Sequence, residues 1–96
     1  MSKNIEKFLN IENKFHYGCI SILRRLFNQH RIGGKHLPES ICLRWIKHLP
    51  KQEHSQAIKD WEKCIKEELV LTKPKPSERH VFLNQRKLKE IRELIE

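Results

Sequence analysis

Three cysteines are too few and too scattered to staple this chain of 96 residues. Cys19, Cys42 and Cys64 form no CxxC pair, and an odd count always leaves one thiol over. A complete disulfide framework is excluded, and a reducing compartment, the cytoplasm, is expected. No apolar run approaches the roughly 18 residues that a membrane span needs, so no membrane partner is expected. The opening Met1-Ser2-Lys3-Asn4-Ile5-Glu6 does not read as a signal peptide. Metal chemistry also lacks support. The histidine pairs His30/His36 and His48/His54 have no paired cysteines beside them to close a zinc site. Catalytic signals are missing too. There is no nucleophile elbow and no phosphate-cradling glycine loop, because Gly33-Gly34 is not followed by Lys-Ser or Lys-Thr. Glu67-Glu68 is a poor acid pair, since neighbouring helical residues point about 100° apart. No enzyme, no cofactor and no metal are expected.

What is abundant is positive charge. Lys and Arg number 20 against 12 Asp and Glu, a formal net charge of +8. Such a balance favours polyanionic partners without specifying a fold. It is also unevenly spread: across residues 69–87 the cations Lys73, Lys75, Arg79, Arg86 and Lys87 face the single anion Glu78. The last segment alternates in sign through Lys89, Glu90, Arg92 and Glu93, as a solvated helix face does.

The hydrophobic pattern predicts one small domain, mainly α with a small β-hairpin. Ile5, Phe8 and Leu9 suggest a short N-terminal helical extension within residues 1–12. Over residues 13–30, Ile20, Leu23, Leu26 and Phe27 recur at helical spacing, and Gly33-Gly34 breaks the helix. Lys35-His36-Leu37 is a candidate for a very short strand. Pro38 and Glu39 then open a second helix with the stripe Ile41, Cys42, Trp45, Ile46 and Leu49, stopped by Pro50. A third helix capped by Ser55 places Ala57, Ile58, Trp61, Cys64 and Ile65 on one side and Gln56, Lys59, Lys63 and Lys66 on the other. Trp45 and Trp61 should both be buried and close together. Leu69-Val70-Leu71-Thr72 and His80-Val81-Phe82-Leu83 read as strands joined by a basic loop. Asn84 caps a final helix over residues 85–96 bearing Leu88, Ile91, Leu94 and Ile95.

This order resembles the winged helix-turn-helix family over residues 15–84. The likeness is carried by Pro38-Glu39-Ser40-Ile41-Cys42-Leu43-Arg44-Trp45-Ile46, by Ala57-Ile58-Lys59-Asp60-Trp61-Glu62-Lys63-Cys64-Ile65, and by the two strand segments. It implies a three-helix core, a wing and an added C-terminal helix. The chain departs from the family at Glu67-Glu68, where a glycine commonly sits. The resemblance further implies double-stranded DNA as partner, with the third helix in the major groove and the wing on the backbone. Carried onto this chain, the DNA-binding residues are Ser55, Gln56, Lys59, Lys63, Lys66, Lys73, Lys75 and Arg79. Arg44, Lys47, Arg24 and Arg25 are secondary candidates. A transcriptional regulator is the expected function. A winged-helix subunit or adaptor that docks on protein is the alternative, and a homodimer is compatible with either.

Overall fold

The computed structural model describes Phe15 and residues 17–96; the extension expected over residues 1–12 lies outside them. In chain order the elements are α1 (Tyr17–Asn28), β1 (Leu37–Pro38), α2 (Glu39–Lys47), a 3-10 turn (Lys51–Glu53), α3 (His54–Lys66), β2 (Val70–Lys73), β3 (His80–Leu83), a second 3-10 turn (Gln85–Lys87) and α4 (Leu88–Ile95). The molecule is mainly helical, with a small antiparallel sheet in the order β1-β3-β2.

α1 forms because Cys19, Ile22, Leu23 and Leu26, all buried, recur at i, i+3, i+4 and i+7, the spacing of one helix face. Ile20 and Phe27 flank that stripe and are only half-buried. The helix ends before the two glycines. His30, at φ 57°, takes the left-handed position, while the Arg31 N–H donates to the Leu26 carbonyl and His30 N–H to Phe27. These are the two bonds of a Schellman cap. Residues 31–33 lie against the end of β3, where Gly33 N–H donates to Leu83 O and Leu83 N–H to Arg31 O, and Gly33, at φ 63°, then turns the chain toward β1.

Pro38 is extended, at φ −60° and ψ 135°, and ends β1 as well as preceding α2. α2 buries Cys42 and Ile46. Trp45, expected in the core, is half-buried instead, with the Arg25 guanidinium 5.1 Å above its ring. α3 buries Ala57, Asp60, Trp61 and Cys64, again at i, i+3, i+4 and i+7. Ile58, expected on the apolar side, is 40% exposed, because the buried stripe centres between Ala57 and Cys64 and leaves residue 58 beyond its Trp61 edge. Ser55 is not the cap. The 3-10 turn runs directly into α3, and His54 Nε2 donates to the Leu49 carbonyl, at 2.7 Å, tying α3 back to the end of α2.

α3 ends in a second Schellman cap. Glu68, at φ 62°, occupies the left-handed position, with Leu69 N–H donating to Cys64 O and Glu68 N–H to Ile65 O. Glu68 thus takes the conformation a glycine would adopt without strain. In the sheet, β3 lies between its partners, with Leu37 opposite Val81 and Pro38 opposite His80 on one side, and Val70 opposite Leu83 and Lys73 opposite His80 on the other. Val81 and Leu83 face the core while His80 and Phe82 are half-buried, the period-two alternation of a strand with one covered face. Asn84 caps the second 3-10 turn, accepting from Arg86 N–H and donating to Glu68 O, and α4 follows with Ile91 and Ile95 buried.

The helices and the sheet share one core. α1 packs against α2, α3, α4 and β3. Cys19 and Cys64, on α1 and α3, bring their Sγ atoms to 3.0 Å; with Cys42, all three thiols are free and buried. The mutual hydrogen bond and then burial push the Cys19 thiol far above its ordinary range. Burial, helped by the charge of Glu39, pushes Cys42 up to about 12. Held protonated in this way, Cys19 and Cys42 pack as small apolar fillers.

Candidate nucleic-acid interface

Ser55, Lys59, Glu62 and Lys66 lie on the side of α3 opposite its buried stripe, and all four are exposed. Lys59 and Lys66 stand seven residues apart, about 10 Å along the helix axis. Gln56 and Lys63 sit at the margin. Gln56 Nε2 donates to Asp60 Oδ1, at 3.0 Å, and the Lys63 ammonium rests 5.2 Å from the centroid of Phe15. The Gln56 amide is therefore directed along the helix. Lys63 covers an aromatic ring with its stem while its charge stays near the surface, an ordinary use of a long cationic side chain. Lys59, Glu62, Lys63, Lys66 and Glu67 together line an open depression. Three cations against two anions leave this face only weakly positive on its own.

The β2–β3 loop supplies the rest. Lys73 and Lys75 are exposed. Arg79 is not free in the same way: its Nε and Nη2 donate to the two carboxylate oxygens of Glu39, at 2.8 and 2.9 Å. The same carboxylate accepts from Trp61 Nε1, at 2.8 Å. Glu39, the first residue of α2, therefore ties the base of the loop to α3. The Arg79 guanidinium, then the Trp61 donor, hold the Glu39 carboxyl below the usual carboxylate range against the opposing effect of burial. Arg79 in turn is held above its ordinary value by Glu39 and, more weakly, by the charge of Glu62. One residue earlier in the loop, Glu78 accepts from Ser40 N–H, at 2.9 Å, and from Ser40 Oγ, at 3.0 Å. A carboxylate on these donors in the first turn of α2 also complements the positive end of the helix. The loop is pinned at its base by two carboxylates, while Lys73 and Lys75 extend beyond.

The secondary candidates divide in the same manner. Arg44 and Lys47 are exposed on α2. Arg24 donates from Nε and Nη2 to the Ile95 carbonyl, at 3.1 and 2.7 Å, closing the end of α4, and Arg25 covers Trp45. Both serve packing.

Sequence reasoning weighed His36 only with His30, as a metal pair, and did not connect it with His80. The Nδ1 atoms of His36 and His80 approach to 2.8 Å, with the rings edge to face and their centroids 4.9 Å apart. The pair arises because β1 joins β3, and a two-residue strand ending in proline gives almost no local signal. The only available hint is that His36 belongs to the short extended piece and His80 opens the returning strand. Among the described residues no group of three or more His, Cys, Asp or Glu side chains is arranged to hold a metal ion, and no helix is long and apolar enough to cross a membrane. No protein-family model, no curated protein and no solved structure matches this chain.

Proposed function

We propose that this chain is a winged helix-turn-helix protein that binds double-stranded DNA, with α3 as the reading helix and the β2–β3 loop as the wing, acting in transcriptional regulation. The observation that carries this reading is the Glu39 carboxylate, shared by Trp61 of α3 and Arg79 of the loop. It fixes two cation-bearing elements on one scaffold, so Lys59, Lys63 and Lys66 and the wing residues Lys73 and Lys75 can meet one polyanion together. Ser55 and Gln56, in the first turn of α3, would meet base edges in this reading, and Gln suits adenine once its amide exchanges Asp60 for the base. The lysines meet phosphates and position the domain. Arg79 is assigned chiefly to holding the wing.

Five phosphate contacts predict that affinity for duplex DNA falls on the order of 10²–10³-fold between about 50 and 200 mM salt. Reversing Lys59 and Lys66 to Glu should abolish binding. Neutralising Lys73 and Lys75 should weaken all sequences about equally and make the salt dependence shallower. A second reading, a winged-helix subunit that docks on protein, is favoured by one observation: Ile58 is 40% exposed on α3. It predicts little DNA affinity at any salt and no cost to reversing Lys59 and Lys66. Fluorescence anisotropy with labelled duplex across a salt series separates the two.

A further inference from the structure

We infer that the His36–His80 pair is a proton-linked phosphate contact of the wing, which takes up a proton when the domain seats on a DNA backbone. The inference rests on the DNA-binding reading and adds a pH dependence that the lysine contacts alone would not give.

The geometry sets the protonation states. An Nδ1···Nδ1 separation of 2.8 Å requires one ring to donate and the other to accept, so the bond holds one proton, never two. In the neutral pair, the donating ring carries its hydrogen on Nδ1 and leaves a bare Nε2 on its far edge. One further proton can add there without disturbing the shared bond. The result is a singly charged pair with an N–H on each Nε2, two donors in place of one. A second added proton would have to enter the shared bond and would break it. The pair therefore has one useful protonation step, and that step converts it into a better anion ligand.

The surroundings oppose this step until an anion arrives. Lys73 lies directly opposite His80 across the β2–β3 ladder, Lys75 follows on the loop, and Arg31, on the α1–β1 connection, donates a long 3.5 Å bond to the His36 carbonyl. Burial, then the charges of Lys75, Lys73, His80 and Arg31, hold His36 below its ordinary value of 6.5. Neither nearby carboxylate compensates: Glu39, on α2, is paired with Arg79, and Glu78, held by Ser40, is not among the charges that act on His36. A phosphodiester drawn in by Lys73 and Lys75 neutralises the repulsion and accepts from the Nε2 donors. Both effects favour the protonated pair. Two histidines among three cations repel a metal ion, so the same geometry points to an anion.

The sign follows from linkage. If the complex holds more protons than the free protein, affinity rises as pH falls, by at most about tenfold per pH unit for one proton. Because His36 is depressed in the free state, the window runs from below 6.5 up to the higher value reached on DNA. The test uses the full chain and a random-sequence duplex at constant ionic strength, over about pH 6 to 8. Anisotropy should show affinity falling several-fold across that range. Calorimetry in two buffers of different ionisation heat should show proton uptake of a substantial fraction of one. His36→Gln and His80→Gln, checked for fold by thermal melting, should flatten the pH profile while keeping the salt dependence. Salt-dependent binding with no proton uptake by the unaltered protein overturns this inference and leaves the DNA reading standing. A pH slope that survives in the double variant also overturns it. Absence of duplex binding at every pH and salt overturns both.

Discussion

Glu68 occupies the left-handed backbone position at the end of α3 with a Cβ that crowds the following carbonyl. That conformation costs an L-residue roughly 1–2 kcal/mol, part of which glycine would give back through its freer unfolded chain. Glu68→Gly is therefore expected to raise stability by about 0.5–1 kcal/mol, measured by urea unfolding. Glu39 illustrates the opposite case, a residue whose charge is used on three donors. Its carboxyl is depressed in the folded state, so its contribution is complete above the unfolded value near 4.5 and is lost as pH falls through the lower folded one. Because Arg79 remains 47% exposed, the expected loss in Glu39→Gln is modest, about 1–2 kcal/mol at neutral pH. The gap between variant and parent should close on acidification below about pH 4. A gap that persists unchanged into acid would mean that Glu39 acts through packing alone.

At the scale of elements, the two tryptophans sit in matching helical stripes yet differ in weight. Trp61 is 1% exposed and its indole N–H is bonded to Glu39. Trp45 lies half-buried under Arg25. Truncation to Ala should cost about 3–5 kcal/mol at Trp61 and roughly half that at Trp45, where solvent already reaches the ring. Equal losses would show that α2 and α3 bury the two rings alike, contrary to the structure. The junction between α3 and α4 depends on Asn84, whose backbone N–H donates to Leu69 O while its side chain reaches Glu68 and Arg86. Asn84→Ala removes the two side-chain bonds and should cost about 1–2 kcal/mol.

Across the whole molecule, Cys19, Cys42 and Cys64 record how the core is closed. Each comes from a different helix and all three are buried, so reaching them requires α1, α2 and α3 to separate. Labelling by an exposed-thiol reagent should follow the rate and denaturant dependence of global unfolding at all three positions. One thiol that reacts at once would show that its helix is not packed as described. The charge of +8 also acts at this scale. On the proposed DNA reading it becomes a directed surface through the lysines of α3 and of the β2–β3 loop acting together.

Helix faces, the two longer strands and the basic loop were legible in the sequence because each rests on local periodicity: Cys42 and Ile46 in α2, Ala57, Trp61 and Cys64 in α3, Val81 and Leu83 in β3. Asn84 was legible as a cap from its residue type, but it caps the 3-10 turn Gln85–Lys87, and the final helix starts only at Leu88. Other features required partners distant in the chain. Arg79 reads as one more cation until Glu39, forty residues away, claims its guanidinium. His36 and His80 read as unrelated until β1 joins β3. The ends of α1 and α3 fell at His30 and Glu68, neither of which is a turn residue by composition, because tertiary packing and paired cap bonds outweighed a local preference of about 1 kcal/mol. Local sequence determined which residues turn inward, since burial follows the period of each element. Only the tertiary structure decided which charges remain exposed and which are bound to each other, because an ion pair depends on separation in space.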